Sequence, residues 1–342
     1  MIGLAAVTRI WIAAGFTDLQ SSPPCSLITV RVSLSCRNPM EGDSSNNVAA
    51  HGRGERLDNP WDAKKAGPKM KLTFVKPRQE LQPYIKSLWV FESAAGMPQR
   101  DTSLAVPNGC PKLILLYENP LESVVEGRVQ VSGPGLYFVG NRDVSALIRS
   151  SPRRTGFIGI EFSPQGGFPV FGIAMQETAN HLFASDVVFG HWGRHVWERL
   201  RNLERVGQKL RFIQGELVSL LEKNRRDDRL IHFCVRSLEV AEGRLSIREL
   251  ERKTGYTQRY LETLFKQYVG FSPKVLAGIF RFQKFYRKWA EGQSFELLKD
   301  DLFEYYYDQS HFTKEFKKMT GYSPRRFSLE ISNEFGRLLS LR

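Results

Sequence analysis

Cysteine is scarce in this chain: among 342 residues there are four, Cys25, Cys36, Cys110 and Cys234. No two form a Cys-x-x-Cys pair and none stands at zinc-ligand spacing from a histidine, which excludes a disulfide scaffold and a zinc module. A reducing cytoplasm is the compartment that fits. Long apolar runs are missing too, none reaching the roughly 18–20 residues of a membrane-spanning helix. Histidine is limited to six residues, with none between Met70 and Asn180. His191 and His195 are four apart, a spacing that can ligate a metal from one helical face, but no carboxylate or cysteine motif accompanies them, and two ordinary histidines is the reading. No Gly-x-Ser-x-Gly elbow is present. The glycines of SGPGLYFVG (132–140) precede a strand pattern where a phosphate loop would open a helix. Cys110 follows a turn beside Pro111 and reads as a buried, idle thiol. No catalytic residue, metal site or cofactor is expected, and the chain does not read as an enzyme.

What the chain does have is positive charge. Lys and Arg number 49 against 36 Asp and Glu, a net charge of +13 with a pI near 9.6. A basic field steers and holds polyanions, so nucleic acid is the partner class it suggests. With 42% hydrophobic and 25% charged residues the composition is that of a folded globular protein. The length suits two ordinary domains with some excess.

The excess lies at the start. Residues 1–69 carry little sustained periodicity, and Gly, Ser, Asn, Pro and charges dominate from Asn38 to Lys69, the composition of a disordered tail. A secretory signal is the rival for MIGLAAVTRIWIAAGF, but a basic leading region is lacking and Arg9 interrupts the run. Regular patterning begins at MKLTFVKP, so Met70 is the expected biological start, with residues 1–69 an extension. From Lys71 to Glu161 short β-rich runs (SLWVFES, KLILLY, SVVEGRVQV, GLYFVG, GFIGIEF) alternate with Pro/Gly turns, the pattern of an antiparallel sandwich or barrel. An apolar pocket in it would be lined by Trp89, Phe91, Leu115, Tyr117 and Phe138, residues that core packing explains equally well. After Pro164 the spacing turns helical. Val196, Leu200, Leu203, Val206, Leu210, Ile213, Leu217 and Leu220 form a stripe that is a candidate dimerisation face. KNRRDD (223–228) reads as the linker between a 70–222 domain and a 229–328 domain, with 329–342 a C-terminal tail.

The C-terminal domain contains a repeat. TQRYLETLFKQYVGFSP (257–273) and DQSHFTKEFKKMTGYSP (308–324) superimpose at a constant offset of 51. Each reads as one helix, with an N-cap at Thr257 or Asp308 and a core pair at Leu261/Phe265 or Phe312/Phe316. A glycine stop follows at Gly270 or Gly321, with a proline after it. LSIRELERKTGY (245–256) supplies a short helix before the first copy, capped by Ser246 and ended by Gly255, which makes a helix-turn-helix. Between the copies, residues 273–292 form a long amphipathic helix with Ile279, Phe282, Phe285, Tyr286 and Trp289 on one face. From Arg229 onward 21 basic residues face 14 acidic ones, so about half the net charge sits on this third of the chain.

These residues carry a resemblance. RELERKTGYTQRYLETLFKQYVGFSP, RFQK and YDQSHFTKEFKKMTGYSPRRF together resemble the paired helix-turn-helix domain of AraC/XylS-type transcription regulators. Upstream, YIKSLWVFES, VPNGCPKLIL, YFVGNRD and GFIGIEFSPQGGFPVFGIAMQETANHLF are similar to the cupin-like sensor domain of one subgroup. The resemblance implies an α+β chain, in which a small N-terminal β-barrel with helices precedes an all-α domain of two helix-turn-helix units joined by a long helix. It implies a cytoplasmic protein with double-stranded DNA as partner and no membrane, and leaves room for a small-molecule effector, RNA polymerase and a second copy of the chain. On DNA the early outward residues of each reading helix meet base edges: Gln258, Arg259, Glu262 and Thr263 in the first, and Gln309, Ser310, His311 and Lys314 in the second. Lys266, Lys317 and Lys318 suit phosphates. Any of these can instead be a solvated helix face.

There are departures from the family pattern. The second unit's turn has Tyr305 (Tyr306 by the internal offset) where the family has glycine, so the turn takes another shape or stores strain. Asp300, Asp301 and Glu251 replace small or apolar residues. Either the aspartates face a core, or FELLKDDLFEYYY shifts register to bury Leu297, Leu298, Leu302 and Phe303. A rival reading follows: a small-molecule receptor with an impaired second unit that acts through protein partners. An enzyme with a helix-turn-helix appendage would need a polar, convergent pocket within 71–200, for which the sequence offers no candidate residues. If Met70 is the start, mass spectrometry of the cellular protein finds no peptides from Ile2–Lys69; their presence contradicts it.

Overall fold

The computed structural model describes residues 70–97, 102–224, 226–291, 305–306, 308–331 and 335–336, together with the strand segments Trp11–Ala13 (β1) and Leu27–Val32 (β2). Runs of β-branched and aromatic residues broken by turn residues give the expected antiparallel strands. Those of the first sheet are Met70–Val75 (β3), Ile85–Ser93 (β4), Lys112–Leu116 (β6), Gly135–Val139 (β9), Thr155–Phe162 (β11) and Leu182–Ala184 (β12). Its order is β1-β2-β3-β4-β11-β6-β9-β12. A four-stranded sheet faces it, ordered Leu104–Ala105 (β5), Ala146–Ser150 (β10), Leu121–Val125 (β7) and Arg128–Ser132 (β8). The fold is α+β, a two-sheet barrel followed by helices.

Residues 1–69 were expected to be a disordered tail, and two parts of them are strand. β2 runs antiparallel to β3, from Leu27 opposite Val75 to Val32 opposite Met70. LITVRV has the alternation and β-branching of a strand, and it covers an edge whose N–H and C=O groups would otherwise be unpaired. The other residues of 1–69, including the Asn38–Lys69 stretch, lie outside the described residues.

One face of the large sheet is covered by Gly167–Phe171 (α1), Ser185–Arg201 (α2) and Val206–Lys223 (α3). The expected apolar stripe is divided between α2 and α3, and Val196, Leu200, Ile213 and Leu217 are buried in one cluster with Leu88, Leu113, Leu115, Phe138 and Ile160. The stripe is therefore committed to the sheet of its own chain, not laid open as a dimerisation face. The 223–228 segment is likewise held down. Asn224 donates to Val170 O at 2.8 Å, the Arg226 guanidinium lies over the Phe168 ring at 4.4 Å, and Tyr268 donates to Asp227 O.

Helices Arg229–Val240 (α4), Ile247–Thr254 (α5) and Gln258–Tyr268 (α6) form the first helix-turn-helix unit. Pro273–Ala290 (α7) is the connecting helix, and Gln309–Thr320 (α8) and Pro324–Glu330 (α9) belong to the second unit. α7 buries Ile279, Phe282, Phe285 and Tyr286, as its pattern requires, and they pack with Phe312, Phe316 and Phe327. The barrel joins the same packing. Leu104 belongs to that cluster, Gln283 Nε2 donates to Pro107 O at 2.5 Å, and a Cβ on Gly109 would stand 2.7 Å from Leu276 Cδ1. The C-terminal stretch is not simply a tail: α9 runs to Glu330, and Phe335, 3% exposed, packs edge-on against Phe91 with ring centroids 5.8 Å apart.

Gly243, between α4 and α5, has φ +75, and a Cβ there would meet the Ala277 carbonyl oxygen of α7 at 2.0 Å. Gly243→Ala is therefore expected to destabilise the protein by about 1–3 kcal/mol, read as a lower denaturant midpoint at unchanged slope.

Candidate nucleic-acid interface

The first unit is shaped by local hydrogen bonds. Ser246 and Glu249 form a capping box at the start of α5: the Glu249 carboxylate accepts from Ser246 N at 2.8 Å, and Ser246 Oγ accepts from Glu249 N at 3.3 Å. Gly255 closes α5 at φ +74, a left-handed position that favours glycine. Glu251, which departs from the family pattern, is satisfied: its Oε1 accepts the Gln258 N–H at 2.5 Å and so caps α6 from the neighbouring helix. Thr257 Oγ1 accepts from Tyr260 N at 3.4 Å. With Leu261 and Phe265 fully buried, the opposite side of α6 presents Arg259, Thr263 and Lys266 to solvent.

The expected contact residues of α6 are not equivalent. Arg259 and Lys266 extend with no side-chain partner among the described residues, and Arg259 can offer its planar fork to a guanine edge. Gln258 donates to Glu262 Oε1 at 3.0 Å, so each preorganises the other, and the Thr263 hydroxyl donates to Arg259 O at 3.1 Å. The sequence reading passed over Tyr256 and Tyr260, 45% and 48% exposed, which stack with centroids 4.9 Å apart beside the start of α6. Two exposed aromatics four apart were the signal for them.

In the second unit Asp308 Oδ1 accepts from His311 N at 2.7 Å, the N-cap that the repeat implied. Gln309, Ser310, His311, Lys314 and Lys317 are exposed on α8. His311 packs edge-on to Tyr306, with Nε2 3.9 Å from Glu315 Oε1. Lys318 is different: its Nζ lies 2.6 Å from Asp143 Oδ2, so the group expected on a phosphate is held by the barrel. Tyr306, which the internal offset aligns with Gly255, is 5% exposed and packs against Phe312, its hydroxyl pushed to a higher pKa by burial. The non-glycine residues with positive φ among those described are Ser103, Glu126, Asn180 and Glu242, so Tyr306 fills a core position without entering the left-handed region. Asp300 and Asp301 lie outside the described residues.

α7 ties the two units together. Arg281 donates from Nη1 to Gly243 O at 2.8 Å and from Nη2 to Glu315 Oε1 at 3.1 Å, reaching the first unit's loop and the second unit's reading helix at once. Glu242 in that loop pairs with Lys284 of α7 and accepts from the Tyr305 hydroxyl. Burial pushes the Glu242 carboxyl up, but the hydrogen bonds from Lys284 and Tyr305 outweigh it and leave it below the ordinary 4.5.

Between the two sheets lies a cavity of about 140 Å³. Of the five residues expected around a pocket, Trp89 lines it. Phe91, Leu115, Tyr117 and Phe138 are outside its lining, whereas Ile114, Leu116, Tyr137 and Val139 are in it. Side chains alternate across a strand, so these residues of β6 and β9 face the cavity while Leu115 and Phe138 face the helices. Cys110 also borders the cavity, and burial raises its pKa to about 11. The His191 and His195 rings stack near-parallel with centroids 6.2 Å apart on exposed positions of α2.

Residues 250–329 match the family profile of a helix-turn-helix domain, and residues 73–184 match a domain of unknown function. No curated protein matches the chain. Among solved structures, ToxT from Vibrio cholerae is similar at 11% identity and TM-score 0.41, over 72% of this chain and 100% of that one. The AraC-like transcriptional activator CuxR is similar at 17% identity and TM-score 0.26, over 67% of this chain and 83% of that one. The EutQ protein of Clostridium difficile is similar at 16% identity and TM-score 0.22, over 28% of this chain and 68% of that one.

Because the folded-state pKa of Glu242 is depressed, its contribution to stability is present above pH 4.5 and is lost as pH falls through the folded value. The stability difference between the wild type and Glu242→Gln is therefore expected to shrink as pH is lowered from about 6 to about 3, measured by urea denaturation at each pH.

Proposed function

We propose that the C-terminal part of this chain is a paired helix-turn-helix domain of the AraC type and the chain a DNA-binding transcription regulator, a reading that the helix-turn-helix profile match over residues 250–329 supports. We propose that α6 and α8 enter two successive major-groove segments about 34 Å, or 10 base pairs, apart. The observation that carries this reading is the Arg281 bridge. One guanidinium bonds the first unit's loop and the second unit's reading helix, so both helices are presented by one rigid support. Arg259 and Lys314 are the proposed base readers, with Gln258 and Glu262 acting as a coupled pair. Lys266 and Lys317 are the proposed phosphate contacts, which position the protein without reading sequence. The barrel is proposed to gate binding through a small molecule held between its sheets.

The rival, a receptor with an impaired second unit, has one observation in its favour, the engagement of Lys318 by Asp143. Fluorescence anisotropy of the full chain separates the two readings, using DNA from its own gene's upstream region and a scrambled duplex at several salt concentrations. The expected result is tighter binding to the native duplex, with affinity for both falling steeply as salt rises. Arg259→Ala and Lys314→Ala should each weaken binding to the native duplex by about 1–3 kcal/mol while leaving the scrambled duplex little changed. Lys317→Ala should weaken both duplexes alike and reduce the salt slope by about 1. If Arg259→Ala costs affinity and Lys314→Ala costs none, the receptor reading gains.

A further inference from the structure

Helices α6 and α8 together contain a single histidine, His311, in the first turn of α8. Its side chain is 45% exposed, and Nε2 lies 3.9 Å from Glu315 Oε1, one turn further along the helix. That is ion-pair distance and longer than a hydrogen bond. Glu315 is itself held in place. Its Oε1 accepts from Arg281 Nη2 at 3.1 Å, and its Oε2 is buried with no hydrogen bond among the described residues. A carboxylate with an unused buried oxygen is short of a donor, and an N–H on His311 Nε2 is one that it can gain.

A carboxylate beside one ring nitrogen of a histidine decides what the other nitrogen offers. With Nε2–H directed at Glu315, neutral His311 has a bare acceptor at Nδ1, whereas the cation has a donor there. The surfaces that DNA presents to a reading helix are rich in acceptors: guanine O6 and N7, adenine N7, thymine O4 and the phosphate oxygens. A bare Nδ1 meets them lone pair to lone pair. The cation bonds to them.

The groups around His311 divide by sign. Asp308, whose Oδ1 accepts the His311 N–H at 2.7 Å, and Glu315 favour a proton on the ring. Lys314 on the same helix, Arg281 from α7 and the positive end of α8 oppose it, while Tyr306, edge-on to the ring, is a neutral phenol. Arg281 and Glu315 neutralise each other, so a proton on His311 gives this corner one net positive charge. A duplex brings only negative charge to that side and selects the protonated form.

We propose that His311 binds DNA as an imidazolium, taking up a proton on binding and donating from Nδ1 to an acceptor, either a guanine edge or a phosphate. Glu315 is the positioning residue that holds Nε2, and Arg281 holds Glu315. This inference rests on the regulator reading given above and deepens it by making a proton the co-ligand of the second unit.

The test is anisotropy of the full chain on the native upstream duplex at fixed salt, from about pH 8.5 to about pH 6, the range in which histidine charge changes. Wild-type affinity is expected to rise about threefold or more beyond the rise in His311→Gln, since one proton per complex allows up to about tenfold per pH unit. Proton NMR should show the His311 ring titrating at higher pH in the complex than in the free protein. Glu315→Gln keeps an oxygen for Arg281 and should lose about half or more of the wild-type gain, with the His311 titration in the complex moved to lower pH. Equal gains in wild type and His311→Gln, or a His311 titration unmoved by DNA, overturn the imidazolium. An unchanged gain in Glu315→Gln overturns the positioning role. Duplexes carrying 7-deazaguanine or a neutral methylphosphonate linkage separate the two acceptors. Loss of the wild-type gain on the first identifies the guanine edge and on the second the phosphate, and retention on both overturns the bond from Nδ1. Failure of the wild type to prefer the native over the scrambled duplex at any pH would instead overturn the regulator reading, and this inference with it.

Discussion

Helix α7 is buried against three bodies at once, and the arrangement of both reading helices depends on that burial. Eleven of its eighteen residues are buried, Gly278, Gln283 and Tyr286 among them. Its aromatic stripe supplies the core of the second unit through Phe282, Phe285 and Tyr286, its Leu276 and Ala277 join the core of the first, and Gln283 reaches the barrel. A helix packed on so many sides cannot rotate or slide without opening a core, because interiors are close-packed and cavities are costly. The polar contacts of α7 follow from the same placement. Arg281 and Lys284 stand where the Gly243 loop and α8 converge, so cations that the sequence leaves off the apolar face become the brace between units.

The barrel is consequently packed into the helical assembly rather than a neighbour on a flexible tether. Hydrophobic packing is continuous from Leu88 and Phe138 through Phe168 and Met175 to Phe265 and Leu276. Close backbone approaches reinforce it: a Cβ on Gly270 would meet Met175 O at 2.8 Å. Contacts to backbone carbonyls, such as Asn141 to Val269, leave little slack.

Much of this could be read in the sequence, and the limits have physical causes. The repeat at offset 51 gave the caps at Thr257 and Asp308, the core pairs and the left-handed glycine at Gly321, because each is a local requirement of one helix. The strand runs emerged for the same reason. What could not be read was long-range. The partner of Lys318 lies 175 residues away, and that of Gln283 lies 176 away. Glu251 looked like a misplaced carboxylate until the N-terminus of α6 came within reach of it. The cavity residues were assigned to the wrong side of β6 and β9, since both faces of these strands are buried and alternation of polarity gives no sign of which face meets which layer. Tyr306 illustrates the other limit. Glycine is one way to make a helix-turn-helix turn, and an aromatic filling the core beside Phe312 is another that pattern matching does not supply.

The central claim is that α6 and α8, held by α7, occupy two successive major-groove segments of one duplex. Methylation interference at guanine N7 on the native upstream DNA tests this directly, because that atom is exposed in the major groove. The account predicts two clusters of interfering guanines on one face of the duplex, centred about 10 base pairs apart. A single cluster, or interference spread evenly along the DNA, would contradict it.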